Sequence, residues 1–319
     1  MDLNFQFWRS EGETFLQRFC HWLDILDPLL LFPSYVEIDK SRMLLETSRE
    51  NITESLQDNK LKKAWKLSLA SVHPGTGDII PPMFRPPALM PFAAPLAFAT
   101  FSLHRGVKQA FIWQFLFHSY TGAFSLANGN STKMANEFLY KQLLPTTGTV
   151  LYSSCVGALP QYFLKRYKLY NPIAQVFFKT IVPGPLTALL CMMNVMVIRS
   201  TELVSGIEVV DSNGNVIGLS RKAGEKAVKE TAWLRAALFG TAVFIPDIAE
   251  HYLKRTRILL RNPHALPLLR LIMTTVIIGT MIPVSFSWEP QVGKIQRSEL
   301  ESEIVSSTEE TELFYYRGI

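Results

Sequence analysis

From residue 86 onward the chain breaks into apolar windows of membrane-spanning length separated by short charged loops. Residues 86–103 (PPALMPFAAPLAFATFSL) contain no Asp, Glu, Lys or Arg, and eighteen such residues meet the lower limit for crossing a bilayer. Similar windows follow at 110–127, 143–164, 180–198 and 271–288, and a shorter one at 236–249, which holds Asp247, spans only with its flanks and reads equally as a buried helix. Helices are the open-chain way to keep backbone amides bonded in hydrocarbon, so the pattern predicts an all-α bundle of five or six transmembrane helices. The window at 110–127 is the least apolar, with Gln114, His118, Ser119 and Tyr120, and reads either as a span or as a reentrant or interfacial helix. Prolines inside the windows, Pro95, Pro160, Pro183, Pro246 and Pro283 among them, each remove an amide donor and bend a helix.

Before residue 86 the texture is different. Residues 1–85 hold 10 Lys/Arg and 12 Asp/Glu, and predict a soluble or amphipathic helical region. Ser10-Glu11-Gly12-Glu13 reads as a capping box ahead of Phe15, Phe19, Trp22 and Leu23 at helical spacing, ended by Asp27-Pro28. That helix either lies on the membrane surface or docks on the bundle. A second helix is expected over about 59–72, with Lys60, Lys62, Lys63 and Lys66 on its polar side. After the bundle, residues 289–319 read as an acidic tail, either merely solvated or partner-binding, with six glutamates and no basic residue between 299 and 312. Within an inter-span loop over 200–230, EVVDSNGNVIGL flanks an Asn213-Gly214 turn, the strongest hairpin signal in the chain.

Composition narrows the function. Charged residues make up 18% of the 319, apolar ones 48%, and the mean hydropathy is +0.14, so lipid is the expected surrounding partner. A net charge of +5, spread along the chain, gives no footprint for nucleic acid. Three dispersed cysteines give neither a disulfide framework nor a thiolate metal site. No phosphate loop, zinc-protease helix or nucleophile elbow is present, so no catalytic residue, cofactor or metal is assigned and the chain is not expected to be an enzyme.

Several polar residues stand out against this background. His73-Pro74-Gly75-Thr76-Gly77 demands a turn, where His73 either meets a substrate or bonds locally. Asn128 and Asn130 end the weak second window and face either a cavity or an interfacial loop. Asn194, midway along an apolar helix, is costly unless paired, and reads as interhelical glue or a ligand contact. Lys179, Arg235 and Arg270 lie near window edges and are expected to snorkel to the headgroups. Asp247 and His251, four apart on one helix face, form a candidate intramembrane polar site, although two ligands do not make a metal site.

The order of these signals resembles the sideroflexin family of mitochondrial inner-membrane carriers. The resemblance rests on Phe7-Trp8, Thr14-Phe15, Arg18-Phe19, Asp27-Pro28, Ala64-Trp65 and the His73 turn. It continues through Asn194 to Arg199, Glu202-Leu203, Gly206-Ile207, Asn213-Gly214 and Phe314-Tyr315-Tyr316-Arg317-Gly318-Ile319. It implies a multi-pass protein of the inner mitochondrial membrane. The better-known members carry serine and related small amino acids, whereas one branch is associated with assembly of respiratory complex I and with iron–sulfur and iron homeostasis. A carrier of this kind would use His73, Thr76, Asn128, Asn130 and Asn194. The chain departs from the family pattern at those sites. Gly75 replaces the acid of His-Pro-Asp-Thr-Gly, only Asn128-Gly129-Asn130 survives of an asparagine-rich segment, and Asn194 remains where relatives carry two asparagines and a proline. These losses favour the assembly role, with complex I intermediates or assembly factors as partners, over an amino-acid carrier.

Overall fold

The computed structural model describes residues 2–11, 14–48, 59–102, 106–130, 135–167, 171–257, 262 and 264–319. The amino-terminal layer begins with α1 (Leu3–Glu11) and α2 (Phe15–Ile25). The capping box belongs to Thr14, whose hydroxyl accepts from the Gln17 amide while the Gln17 side chain accepts from the Thr14 amide. Ser10, the cap expected from sequence, lies inside α1 instead. Helices α3 (Tyr35–Thr47) and α4 (Asn59–Ser71) complete the layer, and Lys66 of α4 pairs with Asp24 at 2.7 Å.

The bundle consists of α5 (Leu89–Ser102), α6 (Val107–Asn128), α7 (Ala135–Arg166), α8 (Pro172–Ile198, with a π turn over Phe177–Ile181), α10 (Arg221–Leu253) and α11 (Ala265–Trp288). The short α9 (Ser200–Ser205) intervenes. Neighbours in sequence pack side by side, and α11 returns to α5, which closes a six-membered ring with α6 also touching α8. Among the described residues three helices, α8, α10 and α11, are long and apolar enough to cross a membrane. The first window yields only 14 helical residues, about 21 Å at 1.5 Å each, because 3-10 turns occupy Pro82–Phe84 and Pro86–Ala88. Leu268, Ile272 and Val276 expose one apolar stripe of α11, the surface expected of a helix facing lipid.

Residues 200–230 are less of a loop than the sequence suggests. Helix α10 begins at Arg221 and runs 33 residues, about 50 Å, so its first turns project beyond the bundle. There Ala223 and Ala227 pack under a sheet. The expected hairpin is present as β1 (Ile207–Val210) and β2 (Val216–Ser220), but it does not stand alone. With β3 (Val292–Gln296) and β4 (Glu312–Tyr316) it forms a four-stranded antiparallel sheet of order β2-β1-β4-β3. The fold is therefore mostly helical with a small sheet, rather than all-α with an isolated hairpin.

The carboxyl-terminal segment supplies half of that sheet. Its glutamates at 303, 309, 310 and 312 are not buried, as a solvated tail requires, but Leu313, Tyr315 and Tyr316 just beyond them are buried. Gly293 is needed where it stands, because the Tyr315 ring lies directly over it at 2.3 Å from the position of an added Cβ. The segment thus folds through alternate apolar positions that a count of charges overlooks.

The boundary near residue 85 is a change in composition and not a break in the core. Trp8 stacks on Trp22 at 5.0 Å, and Trp22 meets Phe286 of α11 at 4.9 Å, which continues the core from layer into bundle. Between them Arg18, buried in α2, donates from Nε to the Ser287 carbonyl at 2.8 Å and from Nη2 to the Trp288 carbonyl at 3.2 Å. These are orphan carbonyls at a helix carboxyl end, where a cation also opposes the macrodipole. Helix α2 therefore docks on the bundle through Arg18, Trp22 and Ile25, and leaves Leu16 and Leu23 exposed. Arg18→Ala is expected to destabilise the protein by about 1.5–3 kcal/mol, the usual range for a charged hydrogen bond, read as a lower Tm of the full chain in detergent.

Candidate functional site

Three polar regions lie along the bundle. The first is a cavity of about 400 Å³ where bundle, amino-terminal layer and sheet meet, lined among others by Asp2, Gly75, Thr76, Asn130, Thr201 and Glu202. Its floor is a buried ion pair that the sequence reading overlooked. Arg199, at the end of α8, donates from Nε and Nη2 to the two carboxylate oxygens of Glu202 at 2.6 and 2.7 Å, and the side chains are 1% and 3% exposed. The remaining donors of Arg199 reach Thr231 Oγ1 at 2.9 Å and the Arg317 carbonyl at 2.7 Å. Gly318 has φ +77° and its missing side chain leaves room for the Arg199 guanidinium, 2.8 Å from where a Cβ would stand.

The residues singled out from sequence converge here. Asn130 donates from its backbone and its side-chain amide to Glu202, at 3.1 and 3.2 Å, and from Nδ2 to the Tyr316 carbonyl at 2.7 Å. Asn128 Nδ2 donates to the Phe84 and Phe124 carbonyls, and the main-chain carbonyl of Asn128 accepts from the Ile319 amide at 3.0 Å. His73 is buried, and its Nδ1 accepts from the amides of Gly75 and Thr76 at 3.1 and 3.2 Å. Its Nε2 consequently carries the hydrogen given to the Gly129 carbonyl at 2.9 Å. Thr76 Oγ1 accepts from the Asp78 amide. His73 therefore staples its own turn to the end of α6, the local-bonding alternative of the sequence reading.

The second region is inside the bundle. Asn194 Oδ1 accepts from Thr149 at 2.8 Å and Ser153 at 2.7 Å, and its Nδ2 donates to His118 Nδ1 at 2.9 Å. One amide thus joins α6, α7 and α8, which is the interhelical glue reading. Gln114 lies so close to Gly157 that an added Cβ would meet its amide at 2.6 Å. Arg235 departs from expectation. Instead of snorkelling it is buried between the rings of Phe124 and Phe286, 4.8 and 5.3 Å away, with neither Nη atom hydrogen-bonded.

The third region opens at the other end. Asp247 is buried and its Oδ1 accepts from Arg270, which also donates to Glu250. Arg270 is thus an ion-pair partner rather than a snorkelling anchor. Asp247 and His251 line one cavity of about 580 Å³, but His251 is held by Arg255 at 3.2 Å and does not share a ligand geometry with Asp247. Among the described residues no group of three His, Cys, Asp or Glu is placed to hold a metal ion.

A ring of apolar helices with buried polar joints and an extramembrane layer at one end defines a helical membrane protein with polar cavities, and comparison with known proteins gives the family. The Sideroflexins family model matches residues 2–319. Sideroflexin-4 of Bos taurus is 43% identical over 319 residues, covering all of both chains, and Sideroflexin-4 of Homo sapiens is 40% identical over 316 residues, 99% of this chain and 92% of that one. Sideroflexin-5 of Homo sapiens is 28% identical over 98% of this chain and 91% of its own. No solved structure matches the chain. The chain belongs to the sideroflexin family.

Two outcomes follow from the geometry. Removing one member of a buried ion pair strands the other, so Arg199→Met is expected to cost about 3–5 kcal/mol, measured by Tm, and Glu202→Leu a similar amount. Burial holds the His73 imidazolium pKa below its ordinary 6.5, an effect only partly offset by the Gly129 bond and by Asp78 and Asp2. The unfolded chain then binds more protons at that site, so its contribution is full above about pH 6.5 and is lost as pH falls towards the folded value. The Tm of the intact protein is expected to fall more between pH 7 and pH 5 than that of His73→Gln.

Proposed function

We propose that this chain is a multi-pass protein of the inner mitochondrial membrane, with five or six of the ring helices crossing, that supports assembly of respiratory complex I and through it iron–sulfur and iron homeostasis. The observation that carries this reading is the occupancy of the side chains a carrier would use. A zwitterion needs donors for its carboxylate and an acceptor for its ammonium. At the first cavity the amide nitrogens of Asn128 and Asn130 are spent on protein carbonyls and Glu202, the Glu202 carboxylate is spent on Arg199 and Asn130, and Gly75 offers no acid. The greater likeness to proteins named Sideroflexin-4 than to Sideroflexin-5 favours the same branch.

The extramembrane layer fits a docking role. Its core is continuous with the bundle, so a partner bound to it would be held rigidly against the membrane. Exposed Tyr35, Val36, Met43 and Leu44 on α3 give that layer an apolar contact surface beyond what its own packing requires.

A second reading, a carrier of serine or a similar small amino acid, is favoured by one feature. Asn194, His118, Gln114 and Arg235 form a buried polar series between the two end cavities. Deleting the gene is expected to lower complex I, with rescue by the intact chain and equally by Gly75→Asp, while purified protein in proteoliposomes takes up radiolabelled serine no faster than empty vesicles. Uptake above background that disappears in Asn194→Ala would overturn the assembly reading in favour of the carrier.

A further inference from the structure

A loop in water and a loop in lipid differ in how their backbone is satisfied. Water supplies partners to the first, whereas hydrocarbon supplies none, so each amide and carbonyl must be matched within the protein or removed. The 3-10 turn Pro28–Leu31, which follows α2, is built to the second standard. Asp27 Oδ1 accepts from the Leu29 amide at 2.9 Å, and the Asp27 and Leu29 carbonyls accept from the amides of Leu30 and Phe32 at 3.0 and 3.4 Å. The carbonyls of Leu30 and Leu31 are met by Nη1 of Arg85, which is 1% exposed, and Arg85 Nε donates to the Ile80 carbonyl at 3.0 Å. Pro28 and Pro33 have no amide to satisfy. The side chains run the other way. Leu29 is 70% exposed and Phe32 82%, in a stretch, residues 28–36, without a charged side chain.

The turn also lies at bundle depth. It packs against the 3-10 turn Pro86–Ala88 that leads into α5. The Ala88 carbonyl accepts from the Tyr120 hydroxyl at 3.0 Å, and Tyr120 stands eight residues, about 12 Å, before the end of α6. Helix α5 itself, at about 21 Å, falls short of a hydrocarbon core of about 30 Å. Pro81, Pro82, Pro86 and Pro87 delete four amides from the approach to it, and the Phe84 carbonyl is taken by Asn128.

Helix α2 carries the same surface onward. At about 100° per residue, Arg18, Trp22 and Ile25 face the bundle, Cys20 and Asp24 face α4, where Asp24 pairs with Lys66, and Phe15, Leu16, Phe19 and Leu23 point away from α4. Phe15 stacks on Phe19 at 6.0 Å and meets edge-on, at 6.3 Å, the exposed Trp288 that ends α11. An exposed Trp at the end of an apolar helix marks the level of the headgroups. The apolar flank of α2 and its turn therefore runs from the end of α11 to the start of α5, two helices that pack side by side.

We propose that the outer flank of α2 and the turn after it are seated in the lipid leaflet in which α5 begins and α11 ends, a monotopic insertion that fills the apolar belt where α5 is short. The occupant of this face is the boundary of headgroups and acyl chains. The proposal rests on the membrane placement common to both functional readings and not on complex I assembly.

Electron paramagnetic resonance of the full chain in phosphatidylcholine proteoliposomes tests it. Cys20→Ser and Cys155→Ser remove the two exposed thiols and leave the buried Cys191. Single nitroxides are then attached after Leu23→Cys, Phe32→Cys, Ile272→Cys on the exposed stripe of α11, or Asp39→Cys on the exposed side of α3. Collision with oxygen, which concentrates in lipid, is compared with collision with a nickel chelate, which stays in water. The oxygen-to-nickel ratio at Leu23 and Phe32 is expected to approach that at Ile272 and to exceed that at Asp39 several-fold. A ratio at either position equal to that at Asp39 overturns the proposal. So does protection from both reagents with spin–spin broadening that vanishes on dilution with unlabelled protein, which would put a second copy on this face. Absence of an oxygen excess at Ile272 as well would overturn the membrane placement and the proposal with it, whereas failure at Leu23 and Phe32 alone leaves both functional readings standing.

Discussion

The buried pair Arg199–Glu202 is the constraint on which the sheet end of the molecule depends. Two opposite charges in a low-dielectric interior are tolerable only when every remaining donor and lone pair is also used. Here the guanidinium reaches both carboxylate oxygens, Thr231 and the Arg317 carbonyl, while the carboxylate also accepts from Asn130. Those partners come from the loop after α6, from α10 and from the segment after β4. Satisfying one ion pair therefore fixes how four distant stretches of chain meet. Nearby Arg317 shows the contrast, since burial lowers its pKa to about 10 against the opposing pull of Glu230 and Glu289.

Farther inside, polar groups trade against apolar packing in a different way. Asn194 is worth its burial because two hydroxyls and an imidazole are present to meet it. Arg235 has no such set and rests between two aromatic faces, which supply attraction without hydrogen bonds. The result is a bundle whose helices are held by point contacts among small and polar residues, as expected where the surrounding solvent is itself apolar.

Much of this was legible in the sequence. Apolar windows, all but one of them free of charge, locate the bundle helices, Asn213-Gly214 marks the β1–β2 turn, and Asn194 is readable as a joint because an amide amid apolar residues needs partners. What was hidden depends on contacts remote in sequence. Nothing local to Arg199 and Glu202 marks them as a buried pair until residue 317 is brought against them. Leu313, Tyr315 and Tyr316 follow directly on a run of acids, and only pairing with β1 and β3 reveals which of them face a core. Arg235 looks like an anchor because distance from a window edge says nothing about which face of α10 it occupies. The chemistry of the candidate sites was legible by residue type, but their states of occupancy were not.

The meeting of Ile319 with Asn128, and of Gly318 with Arg199, has a bearing on biogenesis. Synthesis proceeds from the amino end, so the residues that finish the charged end of the bundle emerge after every helix has been made. Until then Arg199 lacks an acceptor and the edge of β1 stands open. A nascent chain would present both to whatever waits beside it, until residues 314–319 close that end against Arg199 and Asn128.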